Sequence, residues 1–139
     1  MDLSQFTIRL VCAFAAGAFI GIEREYKNKH AGLKTNILVT LGSAVFVMIS
    51  LEYADQAYTD ITRVLSQVAI GVGFLGAGAI MKRDSKISGL TTAATIWCSA
   101  GAGCLAAAGM LWELLILTAF VIIINYVFGK IDDKIKRND

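Results

Sequence analysis

No proline occurs in this chain of 139 residues, so none of its long apolar runs carries the residue that breaks a helix by removing a backbone donor. Charge is sparse: 17% of residues are Asp, Glu, Lys or Arg, and the net charge is only +2. That small excess sits in loops, which argues for anionic lipid headgroups and against nucleic acid. The single histidine, His30, stands alone in a basic loop and reads as solvated. The three cysteines, Cys12, Cys98 and Cys104, lie inside apolar runs with no CxxC pair, and read as free thiols rather than a disulfide framework. P-loop, HExxH, GxSxG and clustered His/Cys patterns are missing as well. An enzyme is therefore not expected, nor a cofactor.

Apolar residues are what the chain has in quantity: 56% of the total, with a mean hydropathy of +0.63. They fall into five runs, Phe6–Ile22, Leu33–Tyr53, Val64–Met81, Leu90–Ala108 and Leu111–Phe128, each long enough to cross about 30 Å of hydrocarbon as a helix. The first run is not read as a cleaved signal peptide, because Asp2 replaces the basic leader and Arg9 interrupts the apolar stretch. Eleven of the thirteen Lys and Arg residues form three clusters: Arg24, Lys27, Lys29 and Lys34; Lys82, Arg83 and Lys86; Lys130, Lys134, Lys136 and Arg137. Cytoplasmic loops are rich in Lys and Arg, so these clusters put the N-terminus outside and the C-terminus in the cytoplasm. The opposite face then holds Asp2, Glu52, Asp55, Asp60 and Glu113 against a single loop arginine, Arg63.

The expected fold is all-α: a polytopic bundle of five transmembrane helices in the lipid bilayer, with residues 1–129 as one domain. Residues 130–139 are expected to form a short basic cytoplasmic tail with no soluble C-terminal domain. The fifth run is the most uniformly aliphatic and is expected to face lipid over more of its circumference. An offset of 57 residues aligns Ala31-Gly32-Leu33-Lys34-Thr35 with Ser88-Gly89-Leu90-Thr91-Thr92 and Gly21 with Gly78. This match fits either a parallel repeat or two helix starts with the same cap requirement.

Small residues recur at helical spacing. Ala13, Gly17 and Gly21 stripe the first span, and Gly71, Gly73, Gly76 and Gly78 crowd the third. Gly17, Gly21, Gly73, Gly76 and Gly78 are accordingly expected to pack helices closely, because lipid supplies no hydrophobic drive between them. The alternative for the third span is local unwinding that exposes carbonyls. The same run resembles half a dinucleotide-binding fingerprint, but no strand precedes it.

Two polar constellations stand out. Arg9, about one turn into the first span, is expected either to pair with Glu113 or to snorkel to the headgroups. At the inner margin, Glu23, Glu25, Lys34, Thr35, Asn36, Thr91 and Thr92, with Thr95 close by, form the one polar cluster that topology brings together. It reads as a salt-bridged cap, with Glu23 on Lys34 and threonines capping helices two and four, or as a site for a hydrated cation or an anion. The identity of any metal is open.

The chain resembles the MgtC/SapB family of bacterial inner-membrane proteins. The matching blocks are Gly21-Ile22-Glu23-Arg24-Glu25, Ala31-Gly32-Leu33-Lys34-Thr35, Gly73-Phe74-Leu75-Gly76-Ala77-Gly78 and Gly89-Leu90-Thr91-Thr92-Ala93-Ala94 with Trp97 beyond. The resemblance implies five spans, a cytoplasmic C-terminus, adaptation to low magnesium and, in intracellular pathogens, virulence through survival in macrophages. It also implies a link to restraint of the F-type ATP synthase and to membrane potential. The family's acidic position maps to Glu23 or Glu25, and Glu23 is favoured because it faces the bundle. Many members carry His where this chain has Asn36, and many carry a further soluble domain. The expectation is a non-enzymatic membrane regulator tied to magnesium homeostasis, forming a homodimer. The alternative is a small transporter or channel for magnesium or another cation at an oligomer interface.

Overall fold

The computed structural model describes residues 1–56, 60–83 and 86–135. Five helices long and apolar enough to cross a membrane make up the body: α1 (Leu3–Tyr26), α2 (Leu33–Glu52), α3 (Ile61–Gly78), α4 (Leu90–Ala108) and α5 (Leu111–Ile135). The helices overrun several of the apolar runs because caps, not hydropathy, set their ends. Asp2 accepts from the backbone N–H of Gln5 at 2.7 Å and starts α1 before Phe6. Asp60 accepts from the Thr62 N–H at 2.9 Å and starts α3 at Ile61 instead of Val64. The Thr62 hydroxyl, which donates to the same carboxylate at 2.6 Å, and then the Thr62 N–H hold the Asp60 carboxyl below its ordinary range. α5 continues past Phe128 to Ile135, since neither Gly129 nor Lys130 stops it. Lys136 and Arg137 of the expected tail lie outside the described residues.

One expectation needs correcting between α3 and α4. Met81, placed in the third span by its hydropathy, belongs to a short antiparallel hairpin of β1 (Met81–Arg83) and β2 (Lys86–Ser88), with Met81 opposite Ser88. α3 ends before it, at Gly78. The hairpin returns the chain to α4 through Gly89, whose φ of 88° and whose contact with the Ala79 carbonyl leave no room for a side chain. The repeat is correspondingly loose. Gly32 and Gly89 both occupy the N-cap position, but Gly32 has φ −88°. A Cβ on Gly21 would lie 2.7 Å from Leu33 Cα, whereas one on Gly78 would meet nothing within 4 Å.

α4 is the central helix, with 50% of its spanning window buried. It carries Ala100, Ala102, Gly103, Ala106 and Ala107 into the interior. One core cluster joins α1, α2, α4 and α5 around Ala13, Ala44, Met48, Ala106 and Leu114. A smaller one joins α2, α3 and α4 around Val72, Ile96 and Ala100. The helix least covered by its own chain is α3, with 11% of its window buried against 22% for the more aliphatic α5. α3 remains helical through all its glycines. In a bilayer the backbone groups have no water to turn to, so unwinding is not an inexpensive alternative.

Candidate functional site

The polar site is assembled where α1 leaves the bundle and α2 enters it. Close approach of these helices depends on two glycines. A Cβ on Gly17 would lie 2.8 Å from Ile37 Cα and 2.9 Å from the Asn36 carbonyl, and Gly21 backs directly onto Leu33. On the far side of α2, Gly103 of α4 lies against the Thr40 carbonyl and Ser43. Gly76 brings α3 onto Ala93 of α4, where a Cβ added at Gly76 would lie 3.4 Å from the Ala93 carbonyl. Gly73 and Gly78, expected to pack as well, have open space where a Cβ would go. On α3 the packing face is narrow, and they lie outside it.

With the backbones this close, α1 can present consecutive charged residues to its neighbours. Glu23 Oε2 lies 3.5 Å from Arg24 Nη1, and Glu23 Oε1 lies 3.0 Å from Lys27 Nζ. Arg24 is 2% exposed, and its Nε has no hydrogen-bond partner among the described residues. Lys27 reaches across to α5, donating to the Asn125 carbonyl at 2.8 Å and sitting 5.3 Å from the Tyr126 ring centroid. Gly129 allows this approach, because a Cβ there would stand 2.6 Å from Lys27 Nζ. The expected Glu23–Lys34 pair is therefore not formed. Lys34 points outward and is exposed, while Lys27 lies one helical turn from Glu23.

Glu25 has a different task. Its Oε2 accepts from the Leu33 N–H at 2.9 Å and caps α2, for which the N-cap residue Gly32 has no side chain. The threonine caps expected at α2 and α4 are replaced by this contact and by the bare N-cap Gly89. Thr91 is exposed, Thr35 is half-buried and lines a groove beside α3, and Thr92 is buried.

Asn36 is fully buried and fully engaged. Its Nδ2 donates to the Ala31 carbonyl at 3.0 Å and to the Gly32 carbonyl at 2.8 Å, and its Oδ1 accepts from Ser99 Oγ at 2.7 Å. One turn from Ser99, Thr95 Oγ1 accepts from Asn125 Nδ2 at 3.2 Å and ties α4 to α5. Ser99, Asn125 and Lys27 are not picked out as site residues by the sequence; the signals are the helical offsets Thr95 to Ser99 and Glu23 to Lys27 and, for Asn125, an amide at the end of an aliphatic run. Replacing Asn36 by leucine leaves the Ser99 hydroxyl and a loop carbonyl unpaired. The expected loss is about 1–3 kcal/mol per orphaned group, read as a fall in melting temperature in detergent, with Ser99→Ala losing less.

Near the opposite end, Arg9 does not pair with Glu113. Its Nη1 donates to the carbonyl of Ala107, in the last turn of α4, and Glu113 is exposed. The unsatisfied carbonyls of a helix C-terminus carry partial negative charge, and they lie closer than the carboxylate. Glu52 instead receives the N-terminal ammonium. Chemically, the polar network at the base of α1 can hold charge within the bundle and couple α1, α2, α4 and α5. Among the described residues, no group of three or more His, Cys, Asp or Glu converges as a metal site would require.

The family model described as MgtC family matches residues 10–134. Protein MgtC of Brucella abortus is 44% identical over 116 residues, which is 84% of this chain and 48% of the relative. Protein MgtC of Salmonella typhimurium is 37% identical over 137 residues, 99% of this chain and 58% of the relative. An uncharacterized protein of Synechocystis is 38% identical over 125 residues, 90% of this chain and 53% of that protein. The chain thus spans about half the length of the curated relatives it matches. No solved structure matches it.

Proposed function

Because this chain belongs to the MgtC family, we propose that it is a non-enzymatic regulator of the bacterial inner membrane, acting by helix contact with a larger membrane complex. The family resemblance points to adaptation to low magnesium or to infection, and to the F-type ATP synthase as the complex. In this reading the N-terminus is outside, the C-terminus is cytoplasmic, and the polar network at the base of α1 lies at the cytoplasmic margin.

The observation that carries the proposal is the uncovered side of α3. At 100° per residue, Ser66, Ile70, Gly73 and Ala77 fall on one side of the helix, away from the Gly76 contact with α4. Ile70 is 66% exposed and the adjoining Phe74 82% exposed. Gly73 and Ala77 form a small-x-x-x-small pair that lets another helix approach backbone to backbone. The polar side chains at the base of α1, by contrast, are engaged with one another, which supports regulation over conduction. A second reading, a magnesium or other cation path at the interface of a homodimer, draws on the largely buried Glu23 carboxylate.

Both readings can be tested with one preparation. Reconstituted in vesicles loaded with a magnesium-sensitive dye, the protein is expected to give no influx above protein-free vesicles. In inverted membrane vesicles it is expected to lower ATP-driven proton pumping, and Gly73→Leu is expected to restore it. Influx proportional to protein would overturn the proposal in favour of transport. Restraint of pumping undiminished in Gly73→Leu would remove α3 as the contact face.

A further inference from the structure

On another side of α3 the structure holds an open groove, distinct from the partner face around Gly73. α2 and α3 diverge to enclose a volume of about 700 Å³ between Leu38, Gly42 and Phe46 on one wall and Val64, Val68 and Gly71 on the other. Its size is in the range of small-molecule sites, about 300–1,000 Å³. A Cβ on Gly42 or on Gly71 would meet nothing within 4 Å, so neither glycine serves a contact inside the chain. Their effect is to widen the groove.

The lining is hydrocarbon apart from Thr35, Ser43, Gln67 and, in the first turn of α3, Arg63. Arg63 is the one charged residue on the lining and is exposed. Among the described residues it makes no ion pair. The neighbouring Asp60 carboxylate feels the Arg63 charge, but it is engaged by the Thr62 N–H at 2.9 Å and the Thr62 hydroxyl at 2.6 Å and does not close a salt bridge with the guanidinium. A guanidinium offers a planar set of donors suited to a phosphate. Along α3, the wall from Arg63 to Leu75 rises about 18 Å. One leaflet is half of a hydrocarbon core of about 30 Å. The groove is therefore as deep as a leaflet, with a cation at its headgroup end and apolar walls below.

We propose that this groove holds one acyl chain of an anionic phospholipid from the leaflet on the side of the α2–α3 loop, with the headgroup phosphate on Arg63. A helix of a second copy laid in the same place would have to bring an acidic side chain to the guanidinium, whereas a phospholipid carries the counter-charge and the apolar chain in one molecule. The lipid would fill the divergence of α2 and α3 and hold α3 in the orientation that presents Gly73.

Native mass spectrometry of the full chain, released from detergent after incubation with phosphatidylglycerol or phosphatidylcholine of identical acyl chains, tests this. The wild type is expected to retain one phosphatidylglycerol per chain, in about tenfold preference, the ratio that one charge-assisted contact provides. Arg63→Gln is expected to bring the two lipids to near parity. Gly71→Leu is expected to reduce retention of both, and Gly42→Leu on the opposite wall is expected to do the same if the first filler disturbs α3. The proposal is overturned if the wild type retains no lipid, if Arg63→Gln keeps the preference, or if the filled groove retains lipid undiminished. A wild-type dimer that Gly71→Leu dissociates at unchanged lipid number would assign the groove to a second copy instead.

Discussion

Gly17→Val is expected to separate α1 from α2 and to lower stability more than any other single glycine replacement in α1 or α3. The new Cβ would stand 2.8 Å from Ile37 Cα and 2.9 Å from the Asn36 carbonyl, and both are backbone atoms that cannot rotate away. α1 must therefore move as a body. That movement pulls Ala13 and Ala16 off the core cluster they share with α2 and α4. Overpacking of a filled core costs about 1–3 kcal/mol, and the upper end is expected where the obstacle is backbone. The measurement is thermal unfolding in detergent, with Gly73→Val as the matched control. Valine at Gly73 meets open space, and valine has a higher helix propensity than glycine, so the control should be neutral or slightly stabilised. Equal melting temperatures for the two variants would mean that the α1–α2 contact at Gly17 is not made.

The second large effect is expected at Glu23. Its carboxylate is the only acidic partner that Arg24 and Lys27 have among the described residues, and the three side chains are 10%, 3% and 18% exposed, respectively. Removing one member of a buried ion pair leaves a charge without compensation, at a cost of about 3–5 kcal/mol. Glu23→Gln should approach that range, because Arg24 Nε already lacks a hydrogen-bond partner. The double variant Glu23→Gln/Arg24→Met should recover most of the loss. It removes the buried guanidinium and leaves Lys27 held by the Asn125 carbonyl at the edge of α5. If Glu23→Gln melts with the wild type, the network contributes no stability, and the carboxylate is free for another role.

These expectations depend on pairings that a one-dimensional reading resolves only in part. Glu23 is legible as the inward-facing carboxylate, because it lies two turns from Ala16 on the same helical face. Its partner is less so. Lys34 and Lys27 are both basic, both nearby in sequence and both at the membrane margin; only the course of residues 27–32 turns Lys34 outward and leaves Lys27 over α5. Arg9 shows the same limit in another form. A sequence displays its carboxylates but not the free carbonyls at the end of another helix, and one of those carbonyls, at Ala107, is the acceptor that Arg9 meets. Asn36 is legible as a polar residue near a helix start. That it joins a loop to α4 through Ser99 depends on a contact across 63 residues of chain.

By itself, the sequence determined how many helices there are, roughly where they lie, and that they suit a bilayer. Length, apolar content and the flanking glycines act locally, which is why α4 runs from Leu90 to Ala108 just as its apolar run does. The tertiary structure decided which faces meet. Gly17, Gly21 and Gly103 lie against backbone, while Gly71, Gly73 and Gly78, no different in composition, face open space. A glycine has no side chain to declare a preference, so its role is set by what the neighbouring helix brings to it. The same reasoning makes α3, rather than the more aliphatic α5, the helix with the least buried surface. Hydropathy records whether a face tolerates lipid, and only packing geometry settles which of several tolerant faces is left to it.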